Sequence, residues 1–329
     1  MEPAPTYSIV IPLHNEQETL AELQRRLVDV FPQLDGETEV LLIDDGSTDA
    51  TYPLMLELHR RDARFKTVQL ARNFGHQLAI TAGIDLARGD AVVVMDGDLQ
   101  HPPELLPRLA EQWRGGYDVV FGVMTERPEG WTKRVTARIY YRLLRKLASV
   151  EIPAAAGDFR LVDRRVVEAF RAMPERNRFV RGMFAWLGFE QVAVPYAVPS
   201  RFAGSSKYTL RKMLRLATDG LVSFSTRPLR LALDLGFVVS GLSFLFGLAT
   251  LVSKFAGTFL VPGWLTIVLV TSFVGGIQLI VIGVVGEYVG RIYDEVKARP
   301  LYLVRELHGF EHEQPAVRQP IRTTELPRP

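Results

Sequence analysis

The chain has 329 residues, a formal net charge of +2 and no cysteine, and 47% of its residues are hydrophobic. This length is enough for one domain of roughly 200 residues and a smaller unit. The lack of cysteine excludes disulfide bonds, thiolate zinc sites and cysteine nucleophiles, and it fits an active domain in a reducing compartment. The near-neutral charge gives no indication of a nucleic acid partner.

Short β-rich runs alternate with helical patterns in residues 1–209. The predicted strands are Tyr7–Pro12, Glu39–Ile43, Phe65–Leu70, Ala91–Met95 and Val119–Gly122, and the predicted helices are Glu16–Val30, Thr51–Arg61, Gln77–Ala87 and Pro103–Arg114. This alternation predicts an α/β domain with a mostly parallel sheet that is covered on both faces. Such sheets bind ligands at the carboxyl ends of their strands, and polar motifs follow three of these strands.

Two further helices are predicted beyond the alternating region. In Thr132–Ala148 a row of four arginines follows one face, which is either a solvated basic face or a surface near anionic lipid or a ligand phosphate. Residues 210–229 are expected to form an interfacial helix, because Leu210–Phe224 is apolar on one side and basic on the other.

Two apolar runs near the C-terminus predict membrane-spanning helices. Leu235–Val252 and Trp264–Gly286 contain no charged residue. Each meets or approaches the roughly 18 to 20 residues that a helix needs to cross a bilayer, so a buried core helix is the weaker alternative. We expect spans at about 231–253 and 264–287, joined as a hairpin within residues 230–290.

Basic residues flank this hairpin on its outer sides, whereas the link Ser253–Gly263 has a single charge. The flanking residues are Arg227, Arg230, Arg291, Lys297 and Arg299. The positive-inside rule places both flanks in the cytosol and the link outside. We therefore expect a multi-pass protein of the inner (plasma) membrane with both termini and the N-terminal domain in the cytosol. Residues 291–329 form the cytosolic C-terminal segment, with disorder expected from about residue 311.

A turn with two carboxylates follows one predicted strand. Asp96, Gly97 and Asp98 come directly after the apolar run 92–95. Both aspartates can reach one hard cation, and Gly97 allows close approach of a ligand or an unusual backbone angle. Mg2+ or Mn2+ takes oxygen ligands and leaves coordination positions for phosphate. Ordinary loops also contain Asp-Gly-Asp, so the neighbouring motifs are needed to decide between a metal site and an ordinary loop.

Five segments between residue 8 and about residue 300 carry a resemblance to a known family. They are Pro12-Leu13-His14-Asn15-Glu16, Asp44-Asp45-Gly46-Ser47-Thr48-Asp49, Asp96-Gly97-Asp98-Leu99-Gln100-His101-Pro102-Pro103-Glu104, Gly157-Asp158-Phe159-Arg160-Leu161 and Ser206-Lys207-Tyr208. In order and spacing they resemble the polyisoprenyl-phosphate glycosyltransferases of glycosyltransferase family 2, which include dolichol-phosphate mannose synthase. Residues 286–293, after the second apolar run, are similar to the bacterial undecaprenyl-phosphate glycosyltransferases.

The resemblance implies a Rossmann-like nucleotide-sugar domain of the GT-A type that uses Mg2+ or Mn2+. It implies that the metal or the diphosphate is bound by Asp96, Asp98 and Gln100. The residues that it implies for the nucleotide sugar are Pro12, His14, Glu16, Asp44, Asp45, Asp96, Gly97 and Arg127. His14 replaces the usual Tyr, which leaves the contact to the base open, and Gly97 replaces a frequent Ala, which we expect to have no effect. The alternative for residues 44–47 is a turn in which Ser47 or Asp49 caps the next helix.

Cations beyond the metal are needed because the donor and the acceptor both carry phosphate. We expect phosphate or acceptor binding by Arg127, Arg201, Ser206 and Lys207. Asp158 matches the family position often proposed as the base and, with Asp98, is predicted to be catalytic. A lipid phosphate with a second pKa of about 6 is largely ionised before it reacts. We therefore expect Asp158 to orient the acceptor or its neighbouring cations, with base catalysis as the alternative.

Together these expectations describe an inverting, metal-dependent transfer of a sugar from a nucleoside-diphosphate sugar to a polyprenyl phosphate, with undecaprenyl phosphate as the first choice, for envelope glycan or glycolipid modification. Uridine diphosphate (UDP) sugars are the first choice of donor and GDP-mannose the second. The expected further partners are membrane lipids and other copies of the chain, in a homo-oligomer for which a tetramer is one candidate. A processive polysaccharide synthase would carry Gln-x-x-Arg-Trp and more spans, and neither is present. A non-catalytic sugar-nucleotide-binding scaffold is the alternative.

Overall fold

The structure is a computed structural model that describes residues 5–125, 156–197, 227–256 and 263–310. Its strands are β1 (Tyr7–Leu13), β2 (Thr38–Asp44), β3 (Phe65–Leu70), β4 (Ala91–Val94), β5 (Val119–Met124), β6 (Ala156–Asp163), β7 (Gln191–Tyr196) and β8 (Val304–His308). Its α-helices are α1 (Leu20–Val30), α2 (Thr51–Arg61), α3 (His76–Leu86), α4 (Leu106–Arg114), α5 (Arg164–Ala172), α6 (Val180–Trp186), α7 (Arg227–Phe255) and α8 (Trp264–Lys297).

The strands form one mixed sheet in the order β7-β5-β6-β4-β1-β2-β3-β8. Strands β1 to β4 are parallel neighbours, and β5 is parallel to β7. Strand β6 is antiparallel between β4 and β5, and β8 is antiparallel at the edge beside β3. The mostly parallel α/β sheet predicted from the sequence is confirmed, with two antiparallel strands that the prediction lacked.

Helices cover both faces of the sheet, as the continuous apolar strands predict. Every residue of β1 and β2 is buried. One core cluster joins the sheet to α1, α2 and α4, and the other joins it to α3, α5 and α6. Because both faces are covered, a ligand has access to the parallel strands only at their ends.

The largest difference from the predicted bounds is at α1. The sequence predicts a helix over Glu16–Val30 that is opened by Asn15, but the helix begins at Leu20. Asn15 has a left-handed backbone angle (φ 56°), and its side chain accepts a hydrogen bond from the backbone of Thr48. This tether to the next loop keeps residues 14–19 out of the helix and leaves them at the edge of the sheet.

The two C-terminal helices are long and apolar. Leu229–Ala249 and Val270–Lys297 have the length and hydropathy needed to cross a membrane, and neither segment is buried inside the protein. Large side chains such as Phe237 and Phe244 are about 70% exposed. Apolar surface of this extent indicates membrane association and does not fit the core-helix alternative.

Several predictions fall outside the described residues. These are the arginine-rich helix 132–148, the interfacial helix predicted at 210–229 except for its residues 227–229, which belong to α7, the tail from 311, and the residues Arg127, Arg201, Ser206 and Lys207. Within the predicted C-terminal segment 291–329, the described part contains β8, which returns to the sheet.

Candidate active site

Four loops meet at the carboxyl edge of the parallel strands. The loops after β1 and β2 are joined because Asn15 N–H donates to Ser47 Oγ at 3.0 Å. The loops after β2 and β3 are joined because the carboxylate of Asp45 accepts from the backbone of Phe74 and Gly75, at 2.7 and 2.9 Å. The loop after β4 carries the Asp-Gly-Asp turn. The motifs that are separate in the sequence therefore form one edge, as the parallel order predicts.

The close approach of two of these loops depends on Gly46. Its φ of +66° lies in the left-handed region. A Cβ atom added to Gly46 would lie 2.5 Å from the backbone nitrogen of Asn73 and 2.6 Å from the carbonyl carbon of Arg72. A side chain would therefore force apart the backbones of loops 44–48 and 72–75.

The predicted nucleotide-sugar residues on the first two loops lie together. His14 Nδ1 is 3.0 Å from the carbonyl oxygen of Asp45 and 3.2 Å from Asn73 Nδ2. Asp45 is buried, and burial raises the pKa of its carboxyl group, although the hydrogen bonds from Phe74 and Gly75 oppose this rise. Half-buried Glu16 donates its backbone N–H to Thr51, and Pro12 is buried in β1.

Asp44 and its neighbours stabilise the turn after β2. Asp44 is fully buried, and its Oδ1 accepts from the backbone of Ser47 at 3.0 Å. Asp49 Oδ1 accepts from Thr51 N–H at the start of α2, at 3.0 Å. Of the two residues considered as caps from the sequence, Asp49 accepts the first N–H of α2, although the N-cap position itself is Ala50, while Ser47 binds Asn15. Neither contact occupies the carboxylate of Asp45.

The unusual backbone angle in the Asp-Gly-Asp loop is at Leu99, whereas Gly97, for which the sequence allowed either an unusual angle or a close approach, has no positive φ. Leu99 has φ of 62°, which costs an L-residue roughly 1–2 kcal/mol, and its side chain is held in the core. Gly97 has a different constraint, because an added Cβ would lie 2.4 Å from Leu13 Cδ2. Glycine at position 97 thus allows the turn to pack on β1, and alanine would require Leu13 to move.

The Asp-Gly-Asp turn has donor atoms that fit a divalent metal. Oδ1 of Asp96 is buried and has no hydrogen-bond partner among the described residues. Asp98 is half-buried, and its Oδ1 accepts from Gln100 N–H at 3.1 Å. Within the described parts of the chain, no group of three or more His, Asp or Glu side chains could hold a metal. Two carboxylates fit an ion such as Mg2+ or Mn2+ that takes its other ligands from phosphate and water.

Strand β6 brings Asp158 opposite this turn. It pairs antiparallel with β4, with Val94 beside Arg160, so the register continued by two residues puts Asp96 opposite Asp158. Asp158 is buried and accepts two hydrogen bonds from Arg181, both of 2.7 Å. Burial alone would raise the pKa of Asp158, but Arg181 and then His76 outweigh it and hold that pKa well below its usual range.

His76 lies between the two carboxylates. Its Nε2 is 3.4 Å from Asp96 Oδ1 and 3.5 Å from Asp158 Oδ2. Burial disfavours the charged imidazole, but the hydrogen bond to Asp158 and the charges of both aspartates raise the pKa of His76 to about 9. The site thus alternates anions and cations from Asp96 through His76 and Asp158 to Arg181.

Two buried side chains, His101 and Arg160, bind the backbone at or beside the two aspartates. His101 Nδ1 accepts the backbone N–H of Asp96 at 2.9 Å, and its ring stacks on Phe159 with centroids 4.9 Å apart. Arg160 donates to the carbonyl of Gly157 at 2.8 Å, which fixes the backbone beside Asp158.

The site residues that the sequence prediction lacked are Asn73, His76, His101 and Arg181. Asn73 and His76 follow the predicted strand Phe65–Leu70, and that position could have marked them as candidates for the ligand edge. His101 lies inside the motif at residues 96–104. Arg181 lies on a short helix outside every motif used in the prediction.

The fold and site therefore define an α/β domain whose ligand edge carries several carboxylates, two of them on a turn with donor atoms that suit a divalent metal. Residues 8–171 match the family described as Glycosyl transferase family 2. The chain is 44% identical over 309 residues to the uncharacterized glycosyltransferase YkcC of Bacillus subtilis, covering 94% of this chain and 96% of the relative. It is 39% identical to the SfII prophage-derived bactoprenol glucosyl transferase of Shigella flexneri, covering 92% of this chain and 98% of the relative.

This chain belongs to glycosyltransferase family 2, and it is a glycosyltransferase with the GT-A-like fold predicted from its motifs. Among solved structures, it is similar to residues 1–349 of S. aureus TarS in complex with UDP-GlcNAc. That match has a TM-score of 0.46 and 19% identity, and it covers 67% of each chain.

Proposed function

We propose that this glycosyltransferase moves a sugar from a nucleoside-diphosphate sugar to a polyprenyl phosphate at the cytosolic face of the membrane. One observation carries this proposal: the Asp-Gly-Asp turn and the Asp158–Arg181 ion pair lie on either side of the imidazole of His76. The two carboxylates of the turn suit a metal ion that binds the donor diphosphate, and the guanidinium of Arg181 suits the acceptor phosphate. The bactoprenol glucosyl transferases among the relatives support a polyprenyl acceptor.

The donor would bind at the loops after β1, β2 and β4. His14 and Glu16 border this edge, and Asp96, Asp98 and Gln100 would hold Mg2+ or Mn2+. A metal there supplies Lewis-acid stabilisation of the leaving diphosphate. UDP-sugars are the first choice and GDP-mannose the second. From the resemblance in sequence we also propose donor contacts for Pro12, Asp44, Asp45, Gly97 and Arg127.

The acceptor phosphate would lie beside Arg181, which Asp158 orients. A bond forms between a phosphate oxygen and the anomeric carbon while the bond from that carbon to the diphosphate breaks. The electron pair leaves with the nucleoside diphosphate, and an in-line path inverts the anomeric configuration. Because a lipid phosphate is already largely ionised, the step needs charge neutralisation more than a base. Arg201, Ser206 and Lys207 would add acceptor contacts.

The return of the chain to the sheet supports a hairpin arrangement in the membrane. Strand β8, after α8, pairs with β3, which comes long before α7. Hydrogen-bonded strands must lie in one compartment, so α7 and α8 would cross the membrane as a hairpin. Glu295 near the end of α8 accepts the backbone N–H of Arg176 at 2.8 Å, which is a contact between this helix and the α/β domain. A homo-oligomer, with a tetramer as one candidate, belongs to the same proposal.

The test is a panel of labelled sugar nucleotides with undecaprenyl phosphate and the full chain in detergent or nanodiscs, with and without Mn2+. UDP-glucose, UDP-N-acetylglucosamine and GDP-mannose are suitable donors. We expect a metal-dependent, lipid-soluble product from one of them and none with undecaprenol, which lacks the phosphate. Nucleotide binding without transfer from any donor would favour the scaffold alternative and overturn the proposal.

A further inference from the structure

His76 is the first residue of α3, and its side chain contacts both Asp96 and Asp158. We propose that His76 is a positioning residue that fixes the Asp158–Arg181 pair relative to the Asp-Gly-Asp turn. It would thereby set the distance between the acceptor phosphate and the donor diphosphate. The inference rests on the proposed function, because it assigns the two sides of His76 to the acceptor and the donor.

The backbone that carries His76 is held firmly on its N-terminal side. The two residues before it, Phe74 and Gly75, donate their N–H groups to the buried carboxylate of Asp45. Gly75 has φ of +99°, a conformation that aims the chain into the helix and that other residues rarely adopt. The position of His76 is thus tied to the loop that would bind the nucleotide.

Helix α3 holds His76 equally firmly on the other side. A Cβ atom on Gly83 would lie 2.1 Å from Val10 Cγ1, so the helix packs unusually close to β1. The apolar face of the helix, including Ile80 and Ile84, is fully buried. The backbone at the first turn of such a helix is fixed relative to β1, and with it the point from which the imidazole reaches the carboxylates.

The neighbour of His76 braces the opposite side of the site. Gln77 Oε1 accepts the backbone N–H of Val180 at 2.9 Å. Val180 begins α6 and precedes Arg181, which holds Asp158. Two consecutive residues of α3 therefore contact Asp158 and the start of the helix that carries its arginine.

The contacts of His76 suit a positioning role. Asp96 and Asp158 lie within 3.4 and 3.5 Å of its Nε2, and Arg181 lies beyond Asp158. One side chain therefore spans the gap between the two carboxylates. The side chain of His76 is 44% exposed, so its replacement removes this link without opening a cavity in the core.

A double-mutant cycle between His76 and Asp158 tests the proposal. The variants are His76→Gln, Asp158→Asn and the double variant, with kcat and KM measured for donor and acceptor. We expect His76→Gln to lower kcat/KM for the lipid phosphate about tenfold or more. In the Asp158→Asn background the same change should cost less than threefold, because the link is already broken.

Two measurements separate positioning from a merely structural role. The Kd of UDP with Mn2+, measured by calorimetry, should change less than twofold in His76→Gln, and its Tm should match that of the wild type. His59→Gln is the control, since His59 bonds the carbonyl of Phe65 at the opposite end of β3 and should leave transfer unchanged.

Each outcome decides between the two proposals. If the wild type transfers sugar but the two substitutions act additively, the role of His76 is overturned and the proposed function stands. Equal losses in transfer, UDP binding and Tm would also overturn it, since they would indicate a structural role. If the wild type transfers no sugar at all, both proposals fail.

Discussion

Arg181 holds Asp158 through two hydrogen bonds, from Nε to Oδ1 and from Nη2 to Oδ2, each of 2.7 Å. A planar guanidinium that binds both oxygens fixes the orientation of the carboxylate as well as its charge. Asp158 is almost fully buried, and its pKa lies well below the usual range. A carboxylate of this kind binds a proton weakly, which favours the orienting role over base catalysis.

The pH dependence of Asp158→Asn tests this distinction. We expect kcat/KM to fall by about 100-fold, because Arg181 loses the partner that aims it. Between pH 5.5 and 8.5 the remaining activity should follow the same profile as the wild type. A general base needs a pKa near the working pH. If Asp158 were the base, its pKa in the active enzyme would therefore lie in that interval, and the wild type would have an acidic limb there that the variant lacks.

The same pKa shift makes a prediction about stability. The folded pKa is lowered, so the stabilisation from ionised Asp158 is fully present above the unfolded pKa of about 3.9 and is lost as pH falls through the folded value. The difference in Tm between wild type and Asp158→Asn should be constant from pH 5 to 6, below the range in which His76 titrates, and shrink below about pH 4. A difference that already shrank as the pH fell from 6 to 5 would contradict the low pKa.

Metal dependence is expected to reside in Asp98. Asp98→Asn keeps the size of the side chain but removes a charged oxygen ligand, so metal-dependent transfer should fall by at least about 100-fold. A Mn2+ titration of transfer and of UDP binding measures this directly. Asp90→Asn is a matched control, because Asp90 is exposed at the other end of β4. Near-normal transfer by Asp98→Asn would refute the metal assignment.

The parallel part of the fold is readable from the sequence because its signals are local. Thr51–Arg61 and Phe65–Leu70 have the bounds that the sequence predicts. Each is an unbroken periodic or apolar run that ends at polar residues. The ends of these elements also indicate where the carboxylate motifs meet, since parallel strands end at one edge.

The antiparallel strands, and the contacts that bring Asp96, Asp158 and Arg181 together, cannot be predicted from local sequence patterns. Strand β8 is a five-residue segment whose partner, β3, lies more than 200 residues earlier. Nothing local in Val304–His308 specifies that pairing. Asp158 is recognisable by its motif, but its place opposite Asp96 depends on the register of β6, and Arg181 reaches it only through tertiary packing.

Gly46 offers a test of the contact between loops 44–48 and 72–75. Gly46→Ala should destabilise the domain, because the left-handed backbone costs alanine roughly 1–2 kcal/mol and the methyl group would meet the backbone of Arg72 and Asn73. Gly188→Ala is the matched control: Gly188 has φ of +71°, and an added Cβ meets only the carbonyl oxygen of Trp186, at 4.0 Å. Chemical denaturation should give a larger loss for Gly46, together with weaker UDP binding. Equal losses would mean that backbone conformation alone accounts for the effect.

The pairing of β8 with β3 predicts where the chain is accessible on each side of the membrane. The sequence contains no cysteine, so single cysteines can be introduced without a background. Glu111→Cys and Arg305→Cys replace exposed residues of the domain and of β8, and Thr258→Cys lies in the link between the two apolar helices. In intact spheroplasts a membrane-impermeant maleimide should label only Thr258→Cys, and lysis should expose all three. Labelling of Arg305→Cys from outside would mean an odd number of crossings between β3 and β8, which is incompatible with hydrogen bonds between these strands.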